Sequence, residues 1–280
     1  MTEYRDQRFN DERALFRSEN ISVVGCSFDV GESALKHSQG VILSGSEFLW
    51  KYPLWYCRRL EIDDCIFSEH ARAGLWYTDD IVMRGSVYVG QKGFRRCRGV
   101  DLKNVSFPKG AETLWECTDI TMRNVSVCGD YLCMNSSDID IDGLTLDGCY
   151  SFDGVKNVHI RNSSITGRDA FWNSEDVTAE NCTISGAYIG WNSKRLTFIN
   201  CTIESLQGFC YIEDLKLVNC RLPNTTLAFE FSTVDADIVG TVDSVLNPSG
   251  GVIRADGIGE LTLDSSETDP ERTTIEIKSK

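Results

Sequence analysis

The chain has 280 residues, 42 acidic against 28 basic, and a net charge of -14. That balance disfavours nucleic acid and anionic membrane surfaces, whose affinity comes from neutralisation by Lys and Arg. No apolar run approaches the ~20 residues of a membrane span, and the charged start, MTEYRDQRFNDERALF, lacks a signal-peptide core.

The elements follow one another at a fixed interval. Taking the apolar residue that opens each copy as an anchor gives Ile21, Val41, Leu60, Ile81, Val100, Ile120, Ile139, Val158, Val177, Leu196, Leu215 and Val234, with gaps of 19 to 21 that become strictly 19 from Ile120 onward. Such periodicity signals a solenoid. From each anchor the pattern alternates as a half-buried strand does, then slips by one residue at Gly25, Gly45, Asp64, Gly85, Asn104, Asn124, Gly143, Asn162, Asn181, Asn200 and Asn219. Gly and Asn adopt a left-handed backbone at little cost, so each marks a corner, and stacked Asn amides can bond along the ladder.

A leucine-rich repeat places its Asn one residue later, and these copies hold too many strand formers to leave room for a helix. The expected fold is therefore all-β, a single right-handed parallel β-helix of about twelve 19-residue coils. Residues 1–20 would be an N-terminal cap and half-coil, 21–240 the helix, and 241–280 irregular coils and a cap.

Corner Asn residues followed by an outward Ser or Thr generate apparent glycosylation sequons, as at Asn181-Cys182-Thr183. The cysteines fall mainly on inward ladders: Cys26, Cys65, Cys182, Cys201 and Cys220 on one, Cys57, Cys97 and Cys117 on another. There they act as small hydrophobes in a reducing, cytoplasmic setting. No zinc-ligand spacing occurs, and neither metal nor cofactor is expected.

The segments Glu12-Arg13-Ala14-Leu15, Tyr52-Pro53-Leu54-Trp55, Ala73-Gly74-Leu75-Trp76 and Asp169-Ala170-Phe171-Trp172-Asn173-Ser174 resemble a bacterial family of pectin-lyase-like right-handed β-helix proteins with no established activity. The resemblance implies the fold and brings no catalytic residues with it.

Upstream of the anchors lie three ladders that take polar, charged and aromatic residues interchangeably, at eight, five and four positions before each anchor. A shared outer face would form a strip roughly 50 Å long at ~4.8 Å per coil. Tyr52, Trp55, Tyr56, Trp76, Tyr77, Trp115, Tyr131, Asn135, Asp169, Trp172, Asn173 and Trp191 would stack on sugar rings and bond their hydroxyls. Within it Lys92, Arg95, Arg96, Glu112 and Glu116 form the densest charged cluster, readable as cross-coil ion pairs or as a glycan-processing site with a Glu acid or base and an Arg clamp. Asp138, Asp140 and Asp142 suggest a calcium site, but Asp140 and Asp142 fall on ladders beside Thr121, Arg123, His159 and Arg161, which favours ion pairs instead. The strip then belongs to a carbohydrate-binding or carbohydrate-active protein whose partner is an oligosaccharide, or to a non-enzymatic scaffold that docks a protein or a second copy of itself.

Overall fold

The computed structural model describes residues 1–278, and the chain divides into two compact units, Met1–Leu146 and Asp147–Lys280. Each is a parallel β-solenoid. In the first, the ladder Ile21↔Val41↔Leu60↔Ile81↔Val100↔Ile120 runs in unbroken register. In the second, Val158 pairs with Val177, Val177 with Leu196, and Leu215 with Val234. Among the described residues there is no α-helix, only a 3-10 turn at Pro270–Arg272.

Each unit carries more coils than the sequence period suggests. Thr2 pairs with Ile21, which adds a coil at the start, and Gly251 with Val234 and Thr273 with Gly251, which add two at the end. About fifteen turns result instead of twelve. The extra anchors are Thr, Gly and Thr, so the apolar signal fades there while the backbone ladder continues.

Each coil carries one six-residue strand, such as Glu19–Val24 or Glu175–Glu180, and after the corner a strand of two or three residues, such as Ser27–Phe28 or Thr183–Ser185. The third side, expected as a strand, is mostly a run of turns. Among the described residues Leu75–Trp76 pairs there with Phe94–Arg95, and Thr241–Leu246 with Gly257–Thr262. Three further left-handed corners appear per coil, one, four and eight residues before the anchor, for example at Asp80, Tyr77 and Ala73. Residues other than Gly hold this conformation because backbone N–H groups there bond the neighbouring coil, as Tyr77 does to the Arg95 carbonyl at 2.9 Å.

Inside the first unit, Phe28, Phe48, Phe67 and Tyr88 form a stack with ring centroids 4.7–5.0 Å apart. The small ladder three residues before the anchors bridges successive coils: Thr78 Oγ1 donates to the Leu54 carbonyl at 2.6 Å, and Cys97 Sγ to that of Leu75 at 2.9 Å. Ser, Thr and Cys interchange here because each is small and each can donate. The inward cysteines are buried as expected, and burial pushes the Cys57 thiol up to about 12. The corner Asn ladder bonds as expected too, with Asn219 Nδ2 donating to Asn200 Oδ1 at 2.7 Å.

Candidate functional site

The side chain five residues before the anchor leaves the coil between two inward positions, so it can lie flat against its neighbours one coil away. In Met1–Leu146 this produces an axial column. Lys36 Nζ sits 5.7 Å from the Trp55 ring centroid, and Trp55 stacks on Trp76 at 5.1 Å and 4°. The Arg95 guanidinium then lies between Trp76 and Trp115, 4.7 and 4.6 Å from their centroids. Each indole N–H is anchored on a carbonyl of the next coil: Trp55 on Ala73, Trp76 on Lys92 at 2.8 Å, and Trp115 on Tyr131 at 2.6 Å.

A second column runs beside it. His37 stacks on Tyr56 at 5.0 Å and 12°, Tyr56 on Tyr77 at 4.8 Å and 6°, and Arg96 lies 5.8 Å from the Tyr77 centroid. In both columns the ring faces cover one another along the stack. The strip was expected to offer aromatic faces to sugar rings; the faces of Trp55, Trp76 and Tyr77 lie against neighbouring side chains.

The charged cluster assembles as the ladder positions require. Lys92 Nζ is 3.2 Å and Arg95 Nη2 3.5 Å from Glu112 Oε2, and Arg96 Nε is 2.6 Å from Glu116 Oε2. Glu116 holds the Arg96 guanidinium above its ordinary range. Arg123 likewise bridges Asp140.

Of the remaining candidates in this unit, Tyr52 leans on Trp55 at 4.8 Å and 47°, Tyr131 meets Trp115 edge-on, and Asn135 is exposed. In Asp147–Lys280, Trp172 and Trp191 are half-buried and tilted by 40°, and Trp172 Nε1 donates to the Tyr188 carbonyl at 2.9 Å. Asn173 joins an amide ladder from Asp153 to Asn192. Asp169, expected on the binding face, is buried at 3% exposure beside Arg168; burial raises its pKa above the usual carboxylate range.

The structure adds a feature the sequence reading missed. A recess of about 450 Å³ opens in the first unit where the His37–Tyr56–Tyr77 column meets the start of the long strands, lined by Arg17, Glu19, His37, Ser38, Gln39, Tyr56, Arg58, Tyr77 and Asp79. The signal was present two residues before each anchor, where Glu19, Gln39, Arg58 and Asp79 are polar in four successive coils. Asn192, Tyr211, Ile212, Glu213, Phe231 and Thr233 line a smaller hollow of about 310 Å³ in the second unit.

The fold and these columns define the class: a parallel β-helix protein whose outer face carries axial stacks of rings and guanidinium groups. Residues 2–276 match a family described as protein of unknown function (DUF3737), and the chain belongs to that family. No curated protein matches it in sequence.

Among solved structures it is similar to the A-module of mannuronan C-5 epimerase AlgE4 from Azotobacter vinelandii, with 7% identity, TM-score 0.32, and 99% of this chain and 87% of that chain covered. The periplasmic alginate epimerase AlgG gives 10% identity and TM-score 0.26 over 93% and 69% of the two chains. The pentapeptide repeat protein HetL from Nostoc sp. strain PCC 7120 gives 7% and 0.21 over 79% and 92%. Likenesses at these scores carry no argument about activity, and the fold rests on the strand pairing described above.

Proposed function

We propose that the protein is a non-catalytic β-helix module that binds an extended, hydroxyl-rich chain, an oligosaccharide, in the recess of Met1–Leu146. The observation that carries the reading is the recess itself. It draws Arg17, His37, Tyr56 and Tyr77 from one ladder and Glu19, Gln39, Arg58 and Asp79 from another, a polar trough that follows the coil axis for four coils, ~14 Å at the usual strand spacing. Tyr56, 42% exposed, presents its edge and hydroxyl there while its faces remain stacked. Recognition in this reading is by hydrogen bonds and charge, with the rings as a rigid wall.

Lys92, Arg95, Arg96, Glu112 and Glu116 are proposed as supports of that wall. Their mutual ion pairs favour structural duty over acid–base work, because each carboxylate already has a cationic partner.

A glycan panel titrated against intrinsic tryptophan fluorescence tests the reading, since Trp55 lies 6.4 Å from Tyr56. Tyr56→Phe, which keeps the stacked ring and removes the hydroxyl, should weaken binding by about 0.5–1.5 kcal/mol, the scale of one hydrogen bond, and leave the thermal midpoint nearly unchanged. Silence across neutral, acidic and basic glycans would leave the second reading, a scaffold, which the mutual covering of the ring faces favours. Both readings take the compartment to be reducing and cytoplasmic. Titration of the denatured, unreduced protein should then find most of the twelve cysteines as thiols.

A further inference from the structure

The first coil of Met1–Leu146 has a neighbour on one side only. Thr2–Arg5 pairs with Glu19–Val24 and Arg8–Phe9 with Ser27–Phe28, and among the described residues neither has a partner strand on its other edge. Asp6 N–H donates to the Val24 carbonyl at 2.9 Å. By the alternation of a parallel ladder, residues 2 and 4 also bond the second coil, and Glu3 and Arg5 direct their N–H and C=O groups toward the open end.

Their side chains are exposed, opposite in charge, and joined by a 3.0 Å ion pair. On the inner side, Tyr4 and Phe9 are half-buried, 5.9 Å apart, and Phe9 heads the stack onto Phe28 at 4.9 Å. Unpaired backbone beside partly covered rings is a template for another strand.

We propose that this end is an interface between two copies of the chain, related by a two-fold axis, in which the two Thr2–Arg5 strands pair antiparallel about Tyr4. In that register Glu3 faces the second copy's Arg5, and Arg5 its Glu3. A hydrogen-bonded antiparallel pair needs both members to have free backbone groups, and these two residues have them. Opposite charges directly across a ladder stabilise it. Tyr4 meets its own copy on the inner side and closes the end of the core.

Sliding the pairing by two residues sets Glu3 against Glu3 or Arg5 against Arg5, so charge selects one register. The opposite terminal strand, Thr273–Ile277, offers no such match: centred on Ile275, Thr274 would face Glu276.

Sedimentation of the full chain across the micromolar range tests the proposal. The wild type should dimerise. Glu3→Arg and Arg5→Glu should each raise the dissociation constant roughly ten-fold or more, since each sets like charges opposite one another, and the double variant should restore the dimer. Circular dichroism should be the same in all three variants, because both side chains are exposed. A wild type that stays monomeric would overturn the proposal. So would a dimer indifferent to both single reversals, or a double variant that fails to recover.

Discussion

The same ladder position builds two different columns. In Met1–Leu146 it carries Lys36, Trp55, Trp76, Arg95 and Trp115; Trp55 and Trp76 lie parallel at 5.1 Å, and the Arg95 guanidinium sits 4.7 and 4.6 Å from the Trp76 and Trp115 centroids. In Asp147–Lys280 it carries Trp172, Trp191, Cys210 and Phe229. Trp172 and Trp191 are tilted 40° at 6.1 Å, and Trp191 leans onto Tyr211 of the adjoining ladder at 5.1 Å and 34°. Cys210 is small and buried and offers no flat face, so Trp191 turns sideways to find one. A repeat fixes where a side chain emerges. Whether a stack forms depends on the partner one coil away.

The core under the two columns is alike, and the largest effects should be alike too. Phe94 and Phe171 are fully buried six residues before their anchors, and Phe94→Ala or Phe171→Ala should each cost about 3–5 kcal/mol in denaturant unfolding. A large inequality would mean that the columns, and not the core, carry the difference between the units.

One layer out, the columns should separate. Trp76→Ala removes two stacking partners and an anchored indole N–H, for a loss of about 2–4 kcal/mol. Trp191→Ala removes tilted contacts to Trp172 and Tyr211 and an edge-on one to Tyr188, and should cost about half as much. Equal losses would show that parallel stacking adds nothing beyond burial.

Arg95→Met keeps the volume between Trp76 and Trp115 and deletes the charge. About 1–2 kcal/mol should be lost from the two cation–π contacts, less at high salt. No loss would mean the sandwich is packing only.

The smallest effect is a pH dependence confined to the first unit's second column. Desolvation first, then Lys36, Arg17 and Arg13, lower the His37 pKa below 6.5. The folded protein therefore keeps this ring neutral while the unfolded chain protonates it. Its contribution is present above the unfolded value and is lost as pH falls through about 6.5 toward the folded one. The thermal midpoint should drop over that window, and His37→Phe should flatten the drop. The matching positions Asn173 and Asn192 carry no such group.

Much of this was legible beforehand because burial repeats with the chain. Ile21 to Val234 announced their ladder since each of these anchors is apolar and packs inward, and Lys92, Glu112, Arg96 and Glu116 announced their pairs since residues one period apart are neighbours across coils. The left-handed corners at Tyr56, Tyr77 and Glu112 were hidden, because inter-coil bonds hold ordinary residues where Gly or Asn would be expected. Asp169 was misjudged for a related reason. Its ladder carries tyrosines in adjacent copies, but a small carboxylate in the same place is covered by its neighbours.

The sequence by itself determined the all-β solenoid, its register, the inward cysteines and the company each charge keeps, since all of these follow from a 19-residue period imposed on hydrophobic burial. Which way the aromatic rings face was set by contacts between coils. Ring orientation depends on what lies one coil above and below and on where each indole N–H finds a carbonyl. The same dependence turned a strip of ligand-facing aromatics into a stacked wall with a polar trough at its side.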